Sequence, residues 1–178
     1  MTLATLFRRN RYRPQAFAAY TSIVEHARAA DFFLRLEVPD TLDGRYEMIA
    51  LHMFLVLNRL KAEHEETAEY AQALFDAMFA DLDRGLREMG VTDMGVGKRV
   101  KEMAKGFYGR IAAYEQGLKG DDRTLDEALK RNLYGTVQPR ADSVAAIGRY
   151  MRRQAVNFAR QPLAAFFDNH IKFEPVTA

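Results

Sequence analysis

Apolar residues recur at intervals of three and four along almost the whole chain, and no segment sustains a period of two. Pro14 suits a first helical turn, where its missing N–H would have no partner anyway. Phe17, Tyr20, Val24 and Ala27 follow it and predict a helix to about Ala30. Residues 31–40 read as a connector closed by Pro39. Leu42, Tyr46, Ile49, Met53, Leu57 and Leu60 predict a second helix, and Met48, Leu51, Leu55 and Val56 make it apolar on its other sides, so it is expected at the centre. Tyr70, Leu74, Met78, Leu82, Leu86 and Met89 predict a third helix, ended by Gly90. After a turn over residues 91–97, Val100, Met103, Phe107, Ile111, Tyr114 and Leu118 predict a fourth, stopping near Gly120. Thr124 and Glu127 have capping-box spacing at the start of a short fifth helix, which Gly135 and Pro139 break. Val144, Ile147, Met151, Ala155 and Phe158 mark a sixth over about 140–160, and Pro162 opens a last short piece with Phe166 and Phe167. The expected fold is all-α, a single compact bundle of six to seven helices.

Composition agrees with this pattern. Ala and Leu number 43 against 15 Val and Ile, which favours helix over sheet. A length of 178 residues fits one domain. The expected division is a basic, flexible N-terminal arm (1–13), one helical domain (14–170) and a C-terminal tail (171–178). The longest apolar run, residues 48–57, is about half of what a bilayer span needs and contains His52. The first residues are apolar before Arg8, Arg9, Arg11 and Arg13, the reverse of a secretory signal. A cytoplasmic protein is therefore expected, with peripheral contact at the inner face of the cytoplasmic membrane as an extension of that reading.

Most chemistry is excluded by inspection. Without cysteine there are no disulfides, thiolate metal sites or cysteine nucleophiles. Gly95-Val96-Gly97-Lys98 hints at a phosphate loop, but Thr92 and Arg99 stand where that loop needs glycine and a hydroxyl. Di-iron helices need Glu three residues before His; Ile23, Ile49, Lys61 and Phe167 occupy those positions here. Neither Ser22 nor Ser143 sits in a nucleophile elbow. His52 reads as a hydrogen-bonded core histidine rather than a base or haem ligand. Asp81 and Asp83 fall on different sides of a helix, so ion pairing with Arg84 and Arg87 is expected rather than an acid–base dyad. No enzyme, no metal and no cofactor are expected.

What remains is surface. The net charge is +2, yet residues 61–83 hold one lysine against seven carboxylates, and residues 84–110 hold seven basic groups against three acidic ones. Of 26 basic residues 19 are Arg, suited to bidentate contact with phosphate or carboxylate. Lys98, Lys101 and Lys105 share one helical face; Arg149, Arg153 and Arg160 share another, with Arg152 beside them. These faces are candidates for RNA, a ribosome or another anionic surface, with no DNA partner expected.

The stretch Asp43-Gly44-Arg45-Tyr46-Glu47 leads into Leu51-His52-Met53-Phe54-Leu55-Val56-Leu57. Downstream come Ala71-Gln72-Ala73-Leu74-Phe75-Asp76, the run Asp81-Leu82-Asp83-Arg84-Gly85-Leu86-Arg87, Val96-Gly97-Lys98-Arg99-Val100-Lys101 and Phe107-Tyr108-Gly109-Arg110. Together these residues resemble the ubiquinol–cytochrome c chaperone family, the Cbp3-type assembly factors of the cytochrome bc1 complex, in a bacterial form. The resemblance is dense over residues 40–118 and looser on either side. It implies a non-enzymatic assembly chaperone that binds newly made cytochrome b or an early bc1 intermediate, near the ribosome in mitochondrial relatives. On this reading Asp43, Arg45, Glu47, Asp81, Asp83, Arg84, Lys98, Arg99 and Lys101 are the candidate client contacts. Lys105, Arg149, Arg152, Arg153 and Arg160 are the candidate anionic-surface contacts. The alternative is an RNA- or ribosome-binding helical module that uses the same basic faces. Met53, Met78, Met89 and Met103 are expected in the core.

Overall fold

A computed structural model describes residues 11–176, which form helices and connecting segments with no strand among them. In chain order the helices are α1 (Arg13–Ala27), α2 (Ala30–Leu34), α3 (Leu42–Lys61), α4 (His64–Glu88), α5 (Asp93–Lys119), α6 (Asp122–Asn132), α7 (Ala141–Arg160) and α8 (Leu163–Phe167). Six are eleven residues or longer and two are five-residue turns. None of the described helices is long and apolar enough to cross a membrane. Residues 1–10 of the expected basic arm lie outside the described residues.

The apolar wrap-around of α3 places it at the centre, against α1, α4, α5 and α7, with every residue from Met48 to Val56 buried. Thr41 opens it, its side-chain oxygen accepting from the Gly44 N–H at 3.1 Å. On α1 the small residues Ala16 and Ala19 face inward with Tyr20 and Ile23, in the helix that pairs most extensively with α4. Phe17, expected inward, is 52% exposed because that small-residue face is the one turned to the core. Gly90, at φ 81°, ends α4: its N–H donates to the Arg87 carbonyl and the Val91 N–H to the Leu86 carbonyl, the paired bonds of a Schellman stop.

Three local expectations shift. The connector over 31–40 contains α2, which folds Phe32 into the core. The loop expected over 91–97 shrinks to two residues, because Thr92 is extended and Asp93 already starts α5, so Gly95 and Gly97 are helical. The cap of α6 lies one turn earlier than predicted: Asp121 accepts from the Thr124 N–H at 2.9 Å and from its hydroxyl at 2.6 Å, so Thr124 is the capped third residue of the first turn and not the cap.

A polar joint ties α1, α3 and α7 together inside the core. His52, fully buried, has Nδ1 at 2.8 Å from the Met48 carbonyl and Nε2 at 2.7 Å from the Tyr150 hydroxyl. A carbonyl only accepts, so Nδ1 carries the proton, Nε2 accepts from Tyr150, and the Tyr150 oxygen accepts in turn from His26 Nε2–H at 2.8 Å. Burial pushes His52 down to about 3 and His26 down to about 4, which keeps both rings neutral at pH 7. The following chain closes over this joint: Phe173 stacks on His26 at 4.2 Å, and the Glu174 N–H donates to Gln154 Oε1 at 2.8 Å.

Candidate functional site

The start of α3, the C-terminal half of α4, the N-terminal half of α5 and the segment after α6 enclose an open groove of about 840 Å³. Its apolar lining comes from Leu42, Ile49, Leu82, Leu86, Met89, Met103 and Leu133; Arg28, Asp43, Arg45, Asp81, Arg99 and Glu102 add charge of both signs. Leu42 is 70% exposed and Met89 55% exposed. Met89 was expected in the core, but it is the last residue before the Gly90 stop, where α4 has run past its packing partners. Flexible thioethers in an open groove adapt to varied apolar surfaces.

Also lining the groove is a half-buried ion pair. The Arg110 guanidinium grips the Glu47 carboxylate through two nitrogens, Nε at 2.6 Å and Nη2 on the other oxygen, and lies 5.6 Å over the Tyr46 ring. Burial holds the Glu47 carboxyl above its ordinary range even with Arg110 in place. Tyr46, whose hydroxyl reaches the Met103 carbonyl at 3.4 Å, is pushed up to about 12 by burial. Arg110 was visible in the sequence only as the end of a run; the sign of its role was a lone arginine next to the inward stripe of Phe107, Ile111 and Tyr114. The groove offers shape, apolar surface and charge. It assembles no nucleophile with a base.

Five of the nine expected client contacts, Asp43, Arg45, Glu47, Asp81 and Arg99, converge here from three helices. The sequence model of the ubiquinol-cytochrome C chaperone family matches residues 34–173. The chain belongs to that family. It is thus a chaperone-family protein and not an enzyme. The chain is 30% identical over 139 residues to ubiquinol-cytochrome c reductase complex assembly factor 1 of Mus musculus, covering 78% of this chain and 47% of that one. It is 29% identical over 149 residues to protein CBP3, mitochondrial, of Saccharomyces cerevisiae, covering 81% and 44%. The chain therefore spans about half the length of these two relatives. A solved structure of the Cbp3 homolog from Brucella abortus superposes with a TM-score of 0.82 at 35% identity, over 98% of both chains.

The other expected contacts of the chain fall elsewhere. Arg84 pairs with Asp81 and lines a neighbouring groove between α1 and α4 with Phe17. Asp81 also accepts from the Tyr20 hydroxyl at 3.0 Å. Asp83 pairs with Arg87 at 2.6 Å, whose guanidinium also reaches Asp93 at the start of α5, and Arg45 pairs with Asp40 at 2.6 Å; all of these are exposed surface pairs. Lys98 and Lys101 stand with Lys105 on a different side of α5. On α7, Arg149 and Arg160 are exposed and Arg153 is half-buried. Arg152 is committed to the fold: its guanidinium donates to the carbonyls of Leu118, Gly117 and Gly120 at 2.9, 3.3 and 3.0 Å and pairs with Asp122 at 3.0 Å. Arg59 does the same for α7, donating to the Phe158 and Gln161 carbonyls at 2.9 and 3.2 Å. Sequence reasoning passed over Arg59, although an arginine one residue from the buried Leu60 was a signal for it. His52, with both ring nitrogens engaged, has no lone pair left for a haem iron.

Proposed function

We propose that the protein is an assembly chaperone of the ubiquinol–cytochrome c reductase (cytochrome bc1) complex, and that its α3–α4–α5 groove holds a segment of newly made cytochrome b or of an early bc1 intermediate. The observation that carries this reading is convergence. Residues that mark the family resemblance, from Asp43 to Arg110 in the sequence, meet around one apolar groove with charge at its edges. A membrane polypeptide outside its bilayer exposes apolar helix faces and charged connecting segments, and such a groove covers both. Family membership and the assembly-factor name of the mouse relative support the same reading.

A photo-reactive amino acid placed in cells at positions 45, 89 and 99, with 149 as an exposed control, tests it. Cytochrome b adducts from the three groove positions and none from 149 are expected. Adducts from 149 alone, or capture only of chains unrelated to the bc1 complex, would refute it.

A further inference from the structure

A second surface lies on α5. Met94, Lys98, Lys101, Lys105 and Tyr108 follow at intervals of four and three, which sets them on one stripe roughly 21 Å long at 1.5 Å per residue. All five are exposed, Met94 at 90% and Tyr108 at 60%. Three of the chain's seven lysines are here, in a protein whose other basic residues are mostly arginine. Among the described residues none of the three has an ion-pair or hydrogen-bond partner. Glu102 is the sole carboxylate between positions 94 and 114 and, among the described residues, has no ion-pair partner at the edge of the stripe. Like charges three and four apart weaken a helix, and Glu102, four residues from Lys98 and three from Lys105, is the one carboxylate of α5 at a spacing that offsets it.

We propose that this stripe seats the protein on an anionic phospholipid surface. Charge complementarity sets the sign of the partner, and shape selects its class. An exposed helix face offers no cleft for a peptide, and it matches a plane. Lysine stems lie along apolar surface while their ammonium heads meet lipid phosphates. Met94 and Tyr108 at the two ends suit the headgroup boundary, where tyrosine is enriched. A nucleic acid would draw on arginine forks and open aromatic faces, whereas the Tyr108 ring is already stacked on Phe75 at 5.6 Å. The groove-lining Arg99, Met103, Gly106 and Arg110 are rotated roughly 150° around α5 from the stripe and Glu102 roughly 80°, so seating leaves the groove open apart from its Glu102 edge.

The test is flotation of the full chain with phosphatidylcholine vesicles with and without phosphatidylglycerol, comparing wild type, K98Q/K101Q/K105Q and R8Q/R9Q. Binding only to anionic vesicles is expected, lowered on the order of a hundredfold in the triple lysine variant at roughly fivefold per charge, with an unchanged melting temperature. Equal binding to neutral vesicles, no binding to anionic ones, or undiminished binding by the lysine variant would overturn the proposal. So would a loss confined to R8Q/R9Q, which would assign the contact to the N-terminal residues. Tighter, lysine-dependent binding of a single-stranded RNA than of vesicles would reassign the stripe to nucleic acid.

Discussion

Gly44 has the strictest steric requirement of the glycines around the groove. A Cβ built there would stand 1.9 Å from the Pro39 carbonyl oxygen and 3.2 Å from the Pro39 side chain. The obstacle is backbone, which cannot rotate aside, so the first turn of α3 and the connector before it touch directly. The resemblance marks Gly44 as part of a run, and the contact supplies the reason. Gly44→Ala should destabilise the protein by about 1–3 kcal/mol, the usual range for overpacking, read as a lower urea midpoint. A midpoint within error of wild type would mean that the connector yields freely. Arg45 and Tyr46, on the same turn, would shift with it and deform the groove wall.

At the level of elements, one end of α5 and one of α7 are finished by side chains distant in sequence. The C-terminus of α5 leaves carbonyls without intrahelical partners, and Arg152 from α7 takes three of them in one planar fork. Glu37, held at φ 58°, plays the matching part at the start of α7, accepting from the Arg140 N–H at 2.9 Å and the Ser143 hydroxyl at 2.8 Å. These bonds hold its carboxyl below the usual range. Arg152→Ala should cost about 1–2 kcal/mol, and Arg152→Lys should recover only part, since an ammonium cannot reach all three oxygens. A thermal melt in which the lysine variant equals wild type would show that charge alone, not the fork, is what matters. Such roles are invisible to helical periodicity, because spacing within α7 says nothing about which carbonyls lie opposite.

For the whole molecule, the joint of His26, Tyr150 and His52 makes stability depend on acid. Both histidines are held below their unfolded value, so between pH 6.5 and about 4 the unfolded chain takes up protons that the folded one refuses. Stability is complete above pH 6.5 and falls as pH drops below it. For His52 alone the loss approaches about 1.4 kcal/mol per pH unit. Urea unfolding from pH 7.5 to 4.5 should show this decline, and His26→Phe, which keeps the stack on Phe173, should lower its slope and leave the part due to His52. A flat profile in the wild type would remove the neutral joint as a determinant. Because the joint links three helices and the segment over 171–176, its loss loosens the bundle as a unit.

The helical spacing of apolar residues by itself determined the class, the central place of α3 and the boundaries of α3 and α7 to within about a residue, because periodicity directly records which face is buried. It misplaced Phe17 and Met89, since an apolar residue is inward only if a neighbour covers it, and coverage is a property of packing. The charged runs told that the exterior mattered and which family the chain resembles. Only the tertiary structure decided how those charges divide. Asp43, Asp81 and Arg99 meet at one groove while Lys98, Lys101 and Lys105 turn away from it, and Arg152 serves the fold itself. Charge sequence is one-dimensional, and the crossing of α3, α4 and α5 is what turns it into separate faces.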